Sequence, residues 1–182
     1  HNAVEVARQH ARGVLTDLYH PCQVLADLMT IREHKKALQG LKLAFIGDGN
    51  NMANSLIVGC IKMGMKVAVA CPEGFRPDQG VVDWANANGE LTITASVAEA
   101  AAGADVLATD VWASMGQESE MAKRRAAFAG YQINSELLKL ANRDCMVLHC
   151  LPAHRGEEIM GDVLEAHADE IFDEAENRLH AQ

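Results

Sequence analysis

The chain has 182 residues, 49% hydrophobic and 23% charged, with sixteen basic against twenty-five acidic side chains and a net charge of −9. That length builds one domain with a proper core, and that charge excludes binders of nucleic acid or anionic membrane, which need a basic footprint. No run approaches the roughly 20 apolar residues that cross a bilayer.

The opening His1-Asn2-Ala3-Val4-Glu5 lacks the basic, apolar and small-residue succession of a signal peptide. With no initiator Met it reads as a fragment, a processed chain or an edited sequence. His20-Pro21 then opens a long helix with Pro at its first position, carrying Leu25, Leu28 and Met29 at helical spacing. Leu43-Ala44-Phe45-Ile46 is a strand ending in Gly47-Asp48-Gly49, and a helix follows from about Asn51 to Gly64. Val67-Ala68-Val69-Ala70 is the second strand. Asp78 caps a helix through Val81, Val82 and Trp84 that Gly89 closes. Leu91-Thr92-Ile93-Thr94 is the third strand, and Ser96 caps an Ala-rich helix ending at Gly103. Val106-Leu107-Ala108 and Met146-Val147-Leu148 are two more strands, with one or two helices between them. Gly156 to Gln182 reads as short helices and loops.

Continuous apolar runs imply strands buried on both faces, hence a parallel sheet. The expected fold is α/β, a doubly wound, Rossmann-like three-layer domain with helices on both faces, and residues 1–182 read as a single domain. Five Cys, at 22, 60, 71, 145 and 150, show no C-x-x-C spacing. They read as buried free thiols in a reducing compartment, the cytoplasm or an organelle matrix.

In such sheets ligands bind at the carboxyl ends of the strands. Gly47-x-Gly49 with Glu73 after the second strand invites a nicotinamide-dependent dehydrogenase reading, but Met52 stands where the third glycine belongs. Asn50 and Asn51 place amides at a helix N-terminus, where a substrate carboxylate could sit; the alternative is that they merely cap the helix. Asp110 ends a buried strand and needs a partner, for which a substrate ammonium would serve. Ser114-Met115-Gly116 then supplies a hydroxyl, a flexible apolar arm and a hinge, or is an ordinary surface loop. Cys150 stands where a thiol could meet a ligand, although packing is the simpler role. His149, Cys150 and His154 lack a fourth ligand, and no metal is expected. His20 and Gln23 share a helix face and could donate to a carbonyl or phosphate oxygen, or simply start the helix. Arg178 is either a surface ion pair or an anion clamp.

His20-Pro21-Cys22-Gln23 with Leu25-Ala26-Asp27, Gly47-Asp48-Gly49-Asn50-Asn51 and Asp110-Val111-Trp112-Ala113-Ser114-Met115-Gly116-Gln117-Glu118 together resemble the carbamoyltransferase family. His149-Cys150-Leu151-Pro152-Ala153-His154-Arg155-Gly156-Glu157-Glu158 and the Ser-Met-Gly segment point to its ornithine branch, and the resemblance runs from about Thr16 to Arg178. It implies transfer of a carbamoyl group from carbamoyl phosphate to the side-chain amine of L-ornithine, giving citrulline and phosphate without any cofactor. By resemblance, Asn51, Ser114 and Met115 hold the ornithine backbone groups and Asp110 its α-ammonium. Cys150 lies beside the attacking amine, Leu151 and Arg178 contact carbamoyl phosphate, and His20 and Gln23 contact the carbamoyl group.

The departures set further expectations. The family's Ser-Thr-Arg-Thr-Arg phosphate loop has no counterpart here, and residues 11–17 are shorter than the family's usual segment. The carbamoyl-phosphate-binding N-terminal domain is therefore expected to be absent and this piece inactive alone. The family's trimer forms mainly through that other domain, so exposed apolar surface is expected to drive a non-native homodimer instead. A catalytically silent amino-acid-binding or scaffold domain is the alternative reading, and a relative using putrescine or an acylated ornithine is another.

Overall fold

The computed structural model describes residues 18–113 and 121–182. Its strands are β1 (Lys42–Ile46), β2 (Lys66–Ala70), β3 (Leu91–Thr94), β4 (Val106–Thr109) and β5 (Met146–His149). All neighbours pair in parallel, in the order β3-β2-β1-β4-β5. The helices are α1 (Pro21–Lys35), α2 (Asn51–Lys62), α3 (Gln79–Asn88), α4 (Val97–Ala101), α5 (Met121–Ala127), α6 (Ser135–Leu138), α7 (Gly161–Ala166) and α8 (Ala168–Ala181). This is the doubly wound α/β architecture expected from the apolar runs.

The strands earn their burial by splitting alternate residues between two cores, as a period of two requires. Leu43, Phe45, Val67, Val69, Val106, Ala108, Met146 and Leu148 meet Val24, Leu28 and Ile31 of α1 and Leu56, Ile57 and Ile61 of α2. Ala44, Ile46, Ala68, Ala70, Leu107 and Val147 face the opposite way, toward Ala100, Ala101, Leu137, Val163 and Ile171. The small residues at 44, 68 and 70 let the Ala-rich α4 lie against β1 and β2. α1 and α2 also come very close, because a Cβ at Gly59 would lie 2.5 Å from Val24 Cγ1.

Register decides where a ligand can sit. Ile46 pairs with Ala70 and with Thr109, and Thr109 pairs with His149, so the carboxyl ends of four strands lie flush along one edge. From β1 the chain winds out through β2 to β3, then returns to β4 on the other side of β1. The crevice of a doubly wound sheet opens at that reversal, here between the ends of β1 and β4.

One stretch departs from expectation. Residues 168–181 form a single 14-residue helix rather than short helices and loops. Its buried face carries Ile171, Glu174 and Asn177, while Phe172 and Leu179 are exposed, so its apolar residues do not mark its inward face. Among the described residues no helix is long and apolar enough to cross a membrane.

The turn leaving β1 is packed backbone to backbone. Gly49 N–H donates to Phe75 O at 2.9 Å, and a Cβ on Gly49 would lie 2.2 Å from Pro77 N and 2.3 Å from Arg76 C. Gly49→Ala should therefore lower stability by about 1–3 kcal/mol, the usual range for overpacking. In urea denaturation this appears as a lower midpoint with unchanged slope; an unchanged midpoint would show that the 75–77 segment moves aside freely.

Candidate functional site

Asp110, one residue past β4, gathers the neighbouring strand ends. Its Oδ1 accepts from its neighbour Val111 N–H at 2.7 Å and from the Cys150 thiol at 3.3 Å, beyond β5. Its Oδ2 accepts from Asn50 Nδ2 at 3.1 Å, beyond β1. Beneath it, Thr109 Oγ1 donates to Ile46 O at 2.6 Å, fastening β4 to β1 at the reversal point. Burial and the adjacent Asp110 carboxylate push the Cys150 thiol well above its ordinary range. It is therefore held as a thiol that donates, and not as a reactive thiolate.

Asn50 has a second task. Its Oδ1 accepts from Met52 N–H at 3.0 Å and Ala53 N–H at 3.3 Å, closing the start of α2. Those helix N-terminal donors, expected to attract a carboxylate, are thus occupied by the protein itself. Asn51 follows as the first residue of α2 and is half-buried. Met52, in the third-glycine position, is a core side chain only 3% exposed. A core side chain therefore stands where a dinucleotide fold has a glycine for close approach.

The β1 and β4 turns are braced together by Arg124. Its Nη1 donates to Asp48 Oδ2 at 2.6 Å and to Trp112 O at 2.9 Å, and its guanidinium lies over the Phe75 and Phe128 rings at 5.2 and 5.9 Å. Burial still raises the Asp48 carboxyl above its ordinary value, Arg124 opposing. Arg124 fixes the chain immediately before Ser114 and Met115, which lie outside the described residues.

α1 and α8 pack side by side and form the next wall. His20, preceding α1, is tied to α2 by its N–H to Ser55 Oγ at 2.7 Å. Its Nδ1 is buried and has no hydrogen-bond partner among the described residues, and the same holds for Arg178 Nη1 on α8. Burial, with the Arg178 charge nearby, lowers the His20 imidazole below its ordinary value while Asp110 opposes. Gln23 is 4% exposed, and its Nε2 donates to Asp27 Oδ1 and to Glu174 Oε1, each at 3.0 Å. With both amide hydrogens engaged, Gln23 offers only its oxygen, so it is an acceptor and not the donor its type allows. Further along, Asn177 Nδ2 donates to Thr30 Oγ1 at 3.0 Å and to Glu33 Oε2 at 2.8 Å.

Beyond β5, His149 is enclosed. Leu151 N–H donates to its Nδ1 at 3.0 Å, its Nε2 lies 3.0 Å from Glu158 Oε1, and its own N–H donates to Glu174 Oε2 at 2.8 Å. Both ring nitrogens are thus engaged within the protein. His154, Glu157 and Glu158 lie close enough together to face a common ion, but Arg125 already holds Glu157 at 2.6 Å and His149 holds Glu158. The structure therefore brings together Asp110, Cys150, Asn50, His20 and Arg178, with Gln23 behind them.

The family model for the aspartate/ornithine carbamoyltransferase Asp/Orn binding domain matches residues 39–182. The chain belongs to the aspartate/ornithine carbamoyltransferase family. It is 56% identical over 170 residues to the ornithine carbamoyltransferase of Geobacter metallireducens, covering 92% of this chain and 56% of that protein. It is 51% identical over 183 residues to that of Geobacillus stearothermophilus, covering 98% and 59%. The crystal structure of ornithine carbamoyltransferase from Gloeobacter violaceus superposes with a TM-score of 0.85 at 52% identity, over 93% of this chain and 58% of that one. The Pyrococcus furiosus ornithine carbamoyltransferase gives 0.85 at 46% identity, over 98% and 60%. The chain thus spans a little over half the length of these carbamoyltransferases.

Sequence reasoning passed over Asp27, Glu158 and Glu174 as functional positions. The spacing from Gln23 to Asp27 and from Glu174 to Arg178 is one helical turn, so each pair shares a face; that was the available signal. Asp27 and Glu174 hydrogen-bond to each other, and burial pushes the Asp27 carboxyl up to about 7 from an ordinary 3.8 and raises Glu174 well above its ordinary value. The native pair holds a proton that the unfolded chain releases, so its stabilisation is complete below pH ~4 and is lost as pH rises toward ~7. Relative to the parent, Asp27→Asn should show a flatter decline in stability across that window. Parallel pH profiles from chemical denaturation would show that no proton is shared.

Proposed function

We propose that this chain is the ornithine-binding half of an ornithine carbamoyltransferase. The reading rests chiefly on two buried nitrogens without hydrogen-bond partners among the described residues, His20 Nδ1 and Arg178 Nη1, near the Asp110 carboxylate at the strand-order reversal. Burying polar groups unpaired costs free energy, and a ligand that supplies acceptors there would recover it. The names of the relatives support the choice of ornithine and carbamoyl phosphate as that ligand pair.

In this proposal Asp110 receives the α-ammonium of L-ornithine, with Asn51, Ser114 and Met115 on its backbone groups. The side-chain amine, unprotonated, attacks the carbonyl carbon of carbamoyl phosphate. The bond from that carbon to the phosphate oxygen breaks, and the amine nitrogen gives up a proton to the departing phosphate, which leaves as hydrogen phosphate. Arg178 meets the negative charge that grows on the phosphate, and His20 the charge on the carbonyl oxygen. Fixed donors aimed at developing charge are the largest source of such rate enhancement. Gln23 enters through its oxygen, accepting from the carbamoyl NH2, since its nitrogen is held by Asp27 and Glu174. Leu151 and the Cys150 thiol line the path of the amine. Asp110, Cys150 and His20 are the proposed catalytic residues, and the step calls on no cofactor.

We further propose that a region outside these 182 residues supplies the rest of the phosphate clamp, that the chain alone does not turn over, and that it acts in the cytoplasm. Calorimetric titration of this chain with L-ornithine should give binding that Asp110→Asn weakens by at least about tenfold, as for a lost charged hydrogen bond. Arg178→Ala should spare ornithine and remove the response to carbamoyl phosphate. Absence of ornithine binding, or citrulline formation by the purified chain, would overturn the respective claims.

A further inference from the structure

Leu151 sits in the left-handed region at φ 49, where a residue with a Cβ is disfavoured. Such a backbone persists only when its surroundings determine it. Its N–H donates to His149 Nδ1 at 3.0 Å, so that nitrogen carries no proton. The ring hydrogen then sits on Nε2, facing Glu158 Oε1 at 3.0 Å, with both side chains 0% exposed. The same carboxylate oxygen accepts from His154 N–H at 2.5 Å. The relay has one direction: Leu151 N–H to Nδ1, Nε2–H to Glu158. The opposite tautomer, or a doubly protonated ring, would set two donors against each other at Leu151. The strand end is also anchored by His149 N–H on Glu174, so the ring is held at its root and at both nitrogens.

We infer that Glu158 and His149 are positioning residues: through the imidazole, the buried carboxylate sets the main chain at Leu151 and with it the Cys150–Leu151 wall of the site. Neither side chain is among the ligand contacts proposed above, and the inference rests on that reading of the site. Its reach is specific, because Cys150 lies in the chain between His149 and Leu151 and is the residue that donates to Asp110.

Two measurements on this chain test it. Nitrogen-15 spectra of the histidine rings should show His149 protonated at Nε2 and bare at Nδ1; the other tautomer or an imidazolium overturns the inference without any substitution. In amide hydrogen exchange, His149→Phe keeps an aromatic ring of similar bulk and loses the acceptor. The Leu151 amide should then exchange roughly tenfold faster or more. Glu158→Gln keeps an oxygen for Nε2–H and should hold Leu151 exchange within about twofold of the parent. Equal protection in His149→Phe would reduce the ring to packing and sink the proposal. Ornithine affinity should fall in His149→Phe and survive in Glu158→Gln. If the parent binds no ornithine, the functional reading fails, while the tautomer and exchange results still judge the relay.

Discussion

A carboxylate at the end of a buried parallel strand has few ways to be tolerated, and Asp110 uses most of them at once. Its oxygens take hydrogen from Asn50, Val111 and Cys150, which follow β1, β4 and β5. Flush strand register makes this possible, since the three ends stand level. The result is a charged group that is solvated by the fold and still half-exposed. Arg124 does comparable work one layer out, joining Asp48 to Trp112 across the same reversal. The crevice between β1 and β4 is thereby lined by negative charge and framed by groups that cannot easily drift.

The opposite wall obeys a different rule. α1 and α8 meet largely through polar groups: Gln23, Asp27 and Thr30 on one, Glu174 and Asn177 on the other. Buried polar contacts of this kind add little net stability, but leaving any of them unpaired costs a good deal. They therefore favour one alignment of the two helices over others with similar apolar contact. That alignment puts His20 and Arg178 within electrostatic reach of one another and of Asp110. It also consumes the Gln23 nitrogen, which fixes the chemical sense of that side chain toward the crevice.

Much of this was legible in the residues. Short runs rich in apolar and β-branched residues, three or four long, located every strand, and the strand ends located the crevice. The Cys-Leu-Pro and Asp-Val-Trp segments lie where those ends predict. What stayed hidden follows from a single physical reason: patterns report partition between oil and water, and the missed features are polar groups inside. α8 hides its helical period because Glu174 and Asn177 face inward while Phe172 and Leu179 face out. Glu158 looks like a surface acid in Glu157-Glu158, yet it is fully buried against His149. Asn50 and Asn51 are indistinguishable as letters, and only the geometry shows that Asn50 both caps α2 and holds Asp110.

The contact between Gln23 and Glu174 spans 151 positions of sequence. As the chain leaves the ribosome, β1 to β5 and their crossover helices are all made before α8, whose Glu170 and Glu174 accept from the Val147 and His149 N–H groups of β5. Until α8 arrives, Gln23 and Asp27 lie on an open helix face, and the wall holding Arg178 does not exist. Formation of the crevice is thus tied to completion of the sheet and to the return of its last helix. A nascent or truncated chain displays the strand motifs without the finished crevice, whose second wall is a property of the completed tertiary structure alone.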